Sequence, residues 1–211
     1  KPADEFPAAP ETDQRIDAGI EANILNEMIS TISFAVSRDD LKPALTGVYF
    51  KFENDSLTAV ATDGHRLAKY VRREFKAGQF QGEVIVPRKF LNIITAYISN
   101  DEPIQLWLGD NVFTATIGTD TIYTRIIDER FPDYQSVIPT DNEKEIRVGC
   151  NNLLSAVKRV SIFSNKATHQ IAIRAESGSA TITTEDAEKA SKAQETIEIE
   201  YAGDSIDVGY N

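Results

Sequence analysis

A cluster of polar residues follows an apolar, strand-like run at residues 59–67, which read AVATDGHRL. Asp63 and His65 are residue types that exchange protons in acid–base catalysis and that also bind metals. A binding pocket would use the same cluster differently, since Gly64 lets a ligand approach the backbone while His65 and Arg66 offer donors. A plain capped turn is a fourth interpretation, because Asp-Gly is a common turn pair.

The remaining sequence favours a binding pocket or a turn over catalysis or metal binding. Neither a Gly-x-Ser-x-Gly elbow nor an activated cysteine accompanies the cluster. A metal site needs at least three ligands, and the only other histidine, His169, lies alone more than a hundred residues away. We therefore expect no cofactor and no catalytic residue. A hydrolase that uses Asp63 and His65 remains one alternative, and an extracytoplasmic, acidic, β-rich binding module is another.

Composition limits the class of protein and its compartment. The chain has 211 residues, of which 41% are hydrophobic, which suits one large or two small domains. Its net charge of −11 argues against tight autonomous binding of nucleic acid through phosphate contacts. The single cysteine, Cys150, excludes an internal disulfide framework, favours a reducing compartment and is expected to be a buried thiol. We expect no membrane segment, no signal peptide and a cytoplasmic location.

The apolar residues alternate between helical and strand spacing along the chain. Glu53-Asn54-Asp55 supplies the chemistry of a hairpin turn. The spacing predicts helices over 21–36, 88–98 and 151–164. It predicts strands over 45–52, 56–63, 66–75, 82–86, 104–109, 112–118, 121–128, 145–150, 169–177 and 179–186.

The order of elements starts again after residue 143, which indicates an internal repeat. Residues 179–192, SATITTEDAEKASK, align with residues 56–69, SLTAVATDGHRLAK. The second copy ends at residues 208–211, where its second helix should begin, so we expect the chain to be cut short. The second copy has Asp186-Ala187-Glu188-Lys189 in place of Asp63-Gly64-His65-Arg66. We interpret the glycine, histidine and arginine as additions for function.

Six segments in a fixed order carry a resemblance to a known family. They are LTGVYF (45–50), LTAVATDGHRLA (57–68), VIVPRKFL (84–91), RFPDYQSVIP (130–139), AVKRVSIFSN (156–165) and EYAGDSIDVGYN (200–211). Together they resemble the bacterial DNA polymerase III beta subunit, the replicative sliding clamp. The resemblance implies an α+β DNA-clamp fold of repeated modules with helices packed on antiparallel sheets. It also implies three domains per subunit: here the tail of the first with its linker (1–16), the complete middle domain (17–140) and the N-terminal half of the third (141–211).

The resemblance implies a processivity factor and not an enzyme. In the family, two subunits close head to tail into a homodimeric ring around duplex DNA, and the DNA polymerase activity resides in a partner subunit. The ring tethers the polymerase catalytic subunit, the clamp loader and other polymerases and repair proteins through short linear peptides. Since a ring holds DNA by topology, an acidic outer surface is compatible with a few basic side chains that line the hole.

The resemblance also implies which residues form the two binding surfaces. The cluster in AVATDGHRL forms the wall of a hydrophobic, peptide-binding cleft between the middle and third domains. Ser136 falls where some relatives carry arginine, so the polar edge of the cleft differs here. The partner-peptide residues are Leu45, Thr62, Gly64, His65, Arg66, Leu67, Pro132 and Val137. The DNA-facing candidates are Arg88, Lys89, Lys158 and Arg159.

Overall fold

The computed structural model describes residues 18–76, 80–98 and 103–211 and divides the chain into two compact units. The first unit ends at Val137 and the second begins at Ile138. The predicted tail of a first domain, 1–16, lies outside the described residues, and the predicted boundary at 140/141 stays a prediction. None of the helices within the described ranges is long and apolar enough to cross a bilayer.

The first unit contains two α-helices and eight strands within its described residues. These are β1 (Ala18–Glu21), α1 (Ala22–Ile32), β2 (Gly47–Glu53), β3 (Ser56–Thr62), β4 (Leu67–Arg73), β5 (Gly82–Pro87), α2 (Arg88–Tyr97), β6 (Pro103–Leu108), β7 (Val112–Ile117) and β8 (Asp120–Arg125). The strands form two antiparallel sheets, in the orders β4-β3-β2-β5 and β1-β6-β7-β8.

The apolar faces of α1 and α2 share one core with both sheets of this unit. Met28 and Ile32 of α1 and Ile94 of α2 are completely buried, as the helical spacing of the apolar residues predicts. Strand β3 lies between β4 and β2 in its sheet. It is buried along nearly its whole length, because consecutive residues on both of its faces are covered. The polar cluster of the sequence follows directly at the end of this strand.

Two predicted elements are shorter than expected at the start of this sheet. The helix predicted over 21–36 ends at Ile32, and a 3₁₀ turn over Ser33–Ala35 follows, in which the Ser33 hydroxyl donates to the Ile29 carbonyl (2.6 Å). The strand predicted from residue 45 begins at Gly47, because Pro43–Leu45 form a second 3₁₀ turn. Proline at the start of a short helical turn fixes the required φ angle.

The second unit repeats the first half of the first unit. It contains α3 (Cys150–Ser161), β9 (Ile171–Glu176), β10 (Ser179–Asp186), β11 (Ser191–Glu198) and β12 (Ile206–Tyr210). Its sheet has the order β11-β10-β9-β12, the same sequence-order pattern as β4-β3-β2-β5. Helix α3 packs Ala156 and Val160 against Ile182 of this sheet. The predicted internal repeat is confirmed.

Two expectations for the second unit were wrong. Residues 145–150 form no strand beyond one bridge between Arg147 and Glu200, because the chain turns at Gly149 and starts α3. Cys150 is the first residue of that helix and is exposed, so it is not a buried thiol. Residues 206–210 are strand β12, which corresponds to β5 of the first unit, and the second helix expected after it stays a prediction. Strand β11 was not predicted, and it alternates half-buried and exposed residues.

Candidate functional site

The turn between β3 and β4 is built around the carboxylate of Asp63. Its Oδ1 accepts the backbone N–H groups of His65 and Arg66, both at 3.0 Å, and its Oδ2 pairs with the Arg66 Nε at 2.9 Å. The Gly64 N–H donates to the Thr62 hydroxyl at 3.1 Å. Gly64 has φ +91°, a conformation that favours glycine, so backbone geometry and not lack of space selects this residue.

Asp63 is engaged as an acceptor for its own turn. Partial burial opposes ionisation, but the hydrogen bonds from His65 and Arg66 outweigh it and hold the pKa of the Asp63 carboxyl below its ordinary value. A low pKa and three donors make the group a poor proton acceptor at neutral pH. This geometry disfavours an acid–base couple between Asp63 and His65.

The corresponding turn of the second unit shows which features belong to the fold. Asp186 Oδ1 accepts the Glu188 N–H at 3.1 Å, and its Oδ2 pairs with Lys189 Nζ at 3.6 Å. An aspartate paired with a basic residue three positions later is therefore common to both modules. The basic charge of Arg66 therefore has a counterpart in the second module, whereas Gly64 and His65 are specific to the first module. The interpretation of these residues as additions for function stays a prediction.

A second loop holds Leu45 beside this turn. The Ser37 N–H donates to the Leu45 carbonyl at 2.9 Å, and the Thr46 hydroxyl donates to the Pro43 carbonyl at 2.8 Å. These bonds fix the 3₁₀ turn that leads into β2. Leu45 itself remains half-buried, so part of its side chain is available to a ligand.

A third segment, residues 131–137, is held to the sheet by aromatic rings. The ring of Phe131 stacks on Tyr49 of β2 with a centroid distance of 4.8 Å, and Tyr134 lies 6.0 Å from Tyr49 and 6.4 Å from Phe131. All three side chains are buried. The segment has no helix or strand of its own, so this aromatic cluster fixes the position of Pro132 and Val137.

Polar contacts support the aromatic cluster. The Tyr49 hydroxyl donates to Glu83 Oε2 at 2.5 Å, and burial together with this carboxylate raises the pKa of Tyr49. The Lys69 ammonium lies 5.6 Å from the centroid of the Tyr134 ring. Asp133 Oδ1 accepts the Gln135 N–H at 3.1 Å, which tightens the turn between Phe131 and Val137. The segment is thus anchored at both of its aromatic residues.

The three segments surround a cavity of about 480 Å³. This volume lies in the range of pockets that bind small molecules and peptide side chains, roughly 300–1,000 Å³. Val137 is 66% exposed and Leu67 is half-buried, so apolar surface is left open to solvent. The lining comprises all eight residues expected in the peptide cleft, Leu45, Thr62, Gly64, His65, Arg66, Leu67, Pro132 and Val137, together with Asp133 and Tyr134.

Sequence reasoning missed Asp133 and Tyr134 as lining residues. The signal for Tyr134 is present in the motif FPDY, where two aromatic residues three apart flank a proline and an aspartate. Ser136 is not part of the lining, and its hydroxyl donates to the Asp133 carbonyl at 2.8 Å. The assignment of the cavity to a partner peptide stays a prediction.

The four DNA-facing candidates lie at the ends of two helices. Arg88 and Lys89 open α2, and Lys158 and Arg159 lie in the last turn of α3. Arg159 forms a two-pronged ion pair with Glu195, with Nε–Oε2 at 2.9 Å and Nη2–Oε1 at 2.5 Å. The hydrogen bond from Arg159 lowers the pKa of Glu195. The charge of Arg159 is therefore already partly neutralised within its own module.

No cluster of three or more histidine, cysteine, aspartate or glutamate side chains is arranged for a metal within residues 18–76, 80–98 and 103–211. The donors around the cavity also differ from a metal site. His65 and Asp133 are its candidate ligands, and the remaining polar lining is a hydroxyl, a phenol and a guanidinium. The arrangement suits apolar and hydrogen-bonding contacts.

Comparison with known proteins covers nearly the whole chain. Residues 19–133 match the family model for the DNA polymerase III beta subunit, central domain, and residues 135–211 match that for its C-terminal domain. Beta sliding clamps from Proteus mirabilis and Escherichia coli (strain K12) are 30% and 29% identical to this chain. The alignments include 100% of the chain, which spans 57% of the length of each of these relatives.

Solved structures show the same fold. The DNA polymerase III subunit beta from Pseudomonas aeruginosa superimposes with a TM-score of 0.94 at 30% identity, over 100% of this chain and 58% of that one. A sliding clamp from the same organism, solved bound to griselimycin, gives a TM-score of 0.91 over 57% of its chain at 30% identity. Fold and sequence agree over both compact units, and the chain belongs to the DNA polymerase III beta subunit family.

Proposed function

We propose that this chain is part of a sliding clamp that acts as a processivity factor in DNA replication. The clamp encircles duplex DNA as a homodimer and tethers the replicative polymerase and the clamp loader, along with other polymerases and repair proteins. Its role is non-catalytic, with nucleotide transfer carried out by the polymerase partner, and its site of action is the cytoplasm. Membership of the beta subunit family supports this proposal.

The observation that carries the tethering function is the cavity formed by the β3–β4 turn, the Leu45 turn and residues 131–137. Three separate segments of the sequence converge there with apolar side chains that remain accessible. A peptide that buries one Leu or Phe side chain gains about 1.5 to 3 kcal/mol before the costs of ordering it. This geometry supports binding of short apolar peptides with modest affinity.

The distribution of charge supports contact with DNA at α2. A positive charge in the first turn of a helix is disfavoured by the helix dipole, so Arg88 and Lys89 gain nothing there from helix electrostatics. Lys158 and Arg159 lie at a helix C-terminus, where the dipole favours them without any ligand. With a net charge of −11, the chain is suited to holding DNA by enclosure with few phosphate contacts.

A single substitution tests the tethering function. Leu67→Asp places a charge on the apolar lining, and an unpaired charge that a ligand must desolvate costs several kcal/mol, so peptide binding should be lost. Because Leu67 is only half-buried and begins strand β4, the fold should be retained. The measurement is fluorescence anisotropy of a labelled peptide that contains glutamine and bulky apolar residues.

The matched control is Ala190→Asp, at the corresponding position of the second module. Ala190 is exposed with φ +47°, a conformation that aspartate tolerates. This variant adds the same charge to the chain and should bind the peptide as the wild type does. Equal binding by Leu67→Asp and wild type, with both proteins folded, would contradict the proposed site.

A further inference from the structure

The guanidinium of Arg66 is held on two sides at the cavity. Its Nε is committed to Asp63 Oδ2 at 2.9 Å. Its central carbon lies 5.8 Å from the centroid of the Phe34 ring, within the range of a cation–π contact. Phe34 belongs to the 3₁₀ turn after α1 and does not line the cavity.

These two contacts leave the far end of the guanidinium available. Within the part of the chain that the structure describes, the two terminal nitrogens of Arg66 donate no hydrogen bond, and the side chain is 60% exposed. A planar guanidinium whose orientation is fixed can donate two parallel hydrogen bonds to a carboxylate. Asp133, the acidic residue of the cavity lining, accepts the Gln135 N–H and forms no ion pair with Arg66.

The ring of Phe34 lies at the surface, where the Arg66 guanidinium contacts it. Phe34 is 58% exposed and belongs to the 3₁₀ turn Ser33–Ala35, which directly follows α1. The second module also has an exposed phenylalanine after its first helix, Phe163, but its turn carries Lys189 in place of the arginine. Both modules therefore share the aspartate ion pair, whereas the contact between an aromatic ring and a guanidinium is found in the first module.

We propose that Phe34 is a positioning residue that holds the Arg66 guanidinium at the mouth of the cavity, where its terminal nitrogens bind a carboxylate of the partner peptide. The inference rests on the proposed function, because it assigns a specificity to the same cavity. The carboxylate is either the C-terminus of the peptide or an acidic side chain beside its apolar residues. Apolar contacts to Leu45, Leu67 and Val137 supply the remaining affinity.

Three peptides distinguish these sources. The parent contains glutamine, leucine and phenylalanine, one aspartate and a free C-terminus; the second has asparagine in place of the aspartate, and the third has a C-terminal amide. Their affinities for the 211-residue chain are measured by titration with NMR detection, which covers weak binding. One of the two neutralised peptides should bind several-fold more weakly than the parent.

Substitution of the aromatic ring tests the positioning role. Phe34→Leu should weaken binding of the parent about two- to fivefold, as expected for loss of an exposed cation–π contact, and should not affect the weaker neutralised peptide. Phe34→Tyr keeps an aromatic face and should restore wild-type affinity. The matched control is Phe163→Leu, which should leave all three affinities unchanged.

Two results would overturn the inference while leaving the cavity as a peptide site. One is equal affinity of the wild type for all three peptides, and the other is the same affinity for the parent in Phe34→Leu and Phe163→Leu. Failure of the wild type to bind any of the peptides would overturn the proposed function and this inference together. Because Phe34 is exposed, the Phe34→Leu substitution should not unfold the first unit. Trp107 fluorescence reports directly on the folding of that unit in the variant.

Discussion

Removal of the Phe131 ring should detach the segment that forms one side of the cavity. Phe131 is buried against Tyr49 and Tyr134, and residues 131–137 have no backbone ladder to hold them in its absence. Truncation of a buried phenylalanine to alanine typically costs about 3 to 5 kcal/mol. Phe131→Leu keeps most of the buried volume and loses two ring contacts of about 0.5 to 1.5 kcal/mol each. The order of stability should be wild type, Phe131→Leu, Phe131→Ala.

Trp107 makes the first unit separately observable, since it is the single tryptophan of the chain and lies in β6. In urea, with a slope of about 2 kcal/mol per molar, Phe131→Ala should lower the midpoint of Trp107 fluorescence by about 1.5 M or more. Phe163→Ala, at an exposed site of the second unit, should change this midpoint little. Amide hydrogen exchange of residues 133–137 should accelerate in Phe131→Ala.

A midpoint shift of less than a few tenths of a molar in Phe131→Ala, with unchanged amide exchange in residues 133–137, would refute the anchoring role of the aromatic cluster. Retention of peptide affinity in a variant with accelerated exchange would separate the anchor from the cavity. It would show that Pro132 and Val137 contribute nothing to binding.

Two further predictions concern charge. The pKa of the Asp63 carboxyl in the folded state lies below its ordinary value of about 3.9. The ionised carboxylate therefore stabilises the first unit at pH values above about 3.9. This stabilisation is lost as the pH falls through the lower folded-state pKa. Thermal unfolding of Asp63→Asn should therefore show a deficit against wild type at pH 7 that shrinks below pH 4, and a deficit that stays constant with pH would contradict this. Lys89→Ala should stabilise α2 by about 0.3 to 1 kcal/mol, because a cation is removed from the helix N-terminus. If Lys89 contacts phosphate, the same variant should bind DNA more weakly, and the slope of log binding constant against log salt concentration should be smaller in magnitude by about 0.9. An unchanged slope together with raised stability would show that Lys89 does not face DNA.

Most of the fold follows from sequence pattern because its elements carry strong periodicity. The apolar spacing of α1 and the alternation in β7 predict their type, and the echo of one module in the other predicts the order of strands. The errors lie where periodicity is weak. Strand β11 has few apolar residues, and the run 145–150 has the composition of a strand but only one bridge to a partner.

The cavity was predictable in part, and for different reasons at different residues. Gly64 and its neighbours stand out because the second module lacks the glycine and histidine. Leu45, Val137 and the β3–β4 turn converge through tertiary contacts, which sequence pattern does not reveal. The family resemblance predicted this convergence. The contacts of Tyr49 with Phe131 and of Phe34 with Arg66 could not be predicted from the sequence, because the two partners are distant along the chain.

The central claim is that the cavity of the first unit binds partner peptides. Mapping of backbone amide chemical shifts on the ¹⁵N-labelled chain, titrated with the glutamine- and leucine-containing peptide, tests it most directly. We expect simultaneous shifts at Gly64, His65, Leu67 and Val137, since one ligand in the cavity contacts both the β3–β4 turn and the segment 131–137. Shifts confined to residues 186–189 of the second module, with none at residues 64–67, would contradict the account.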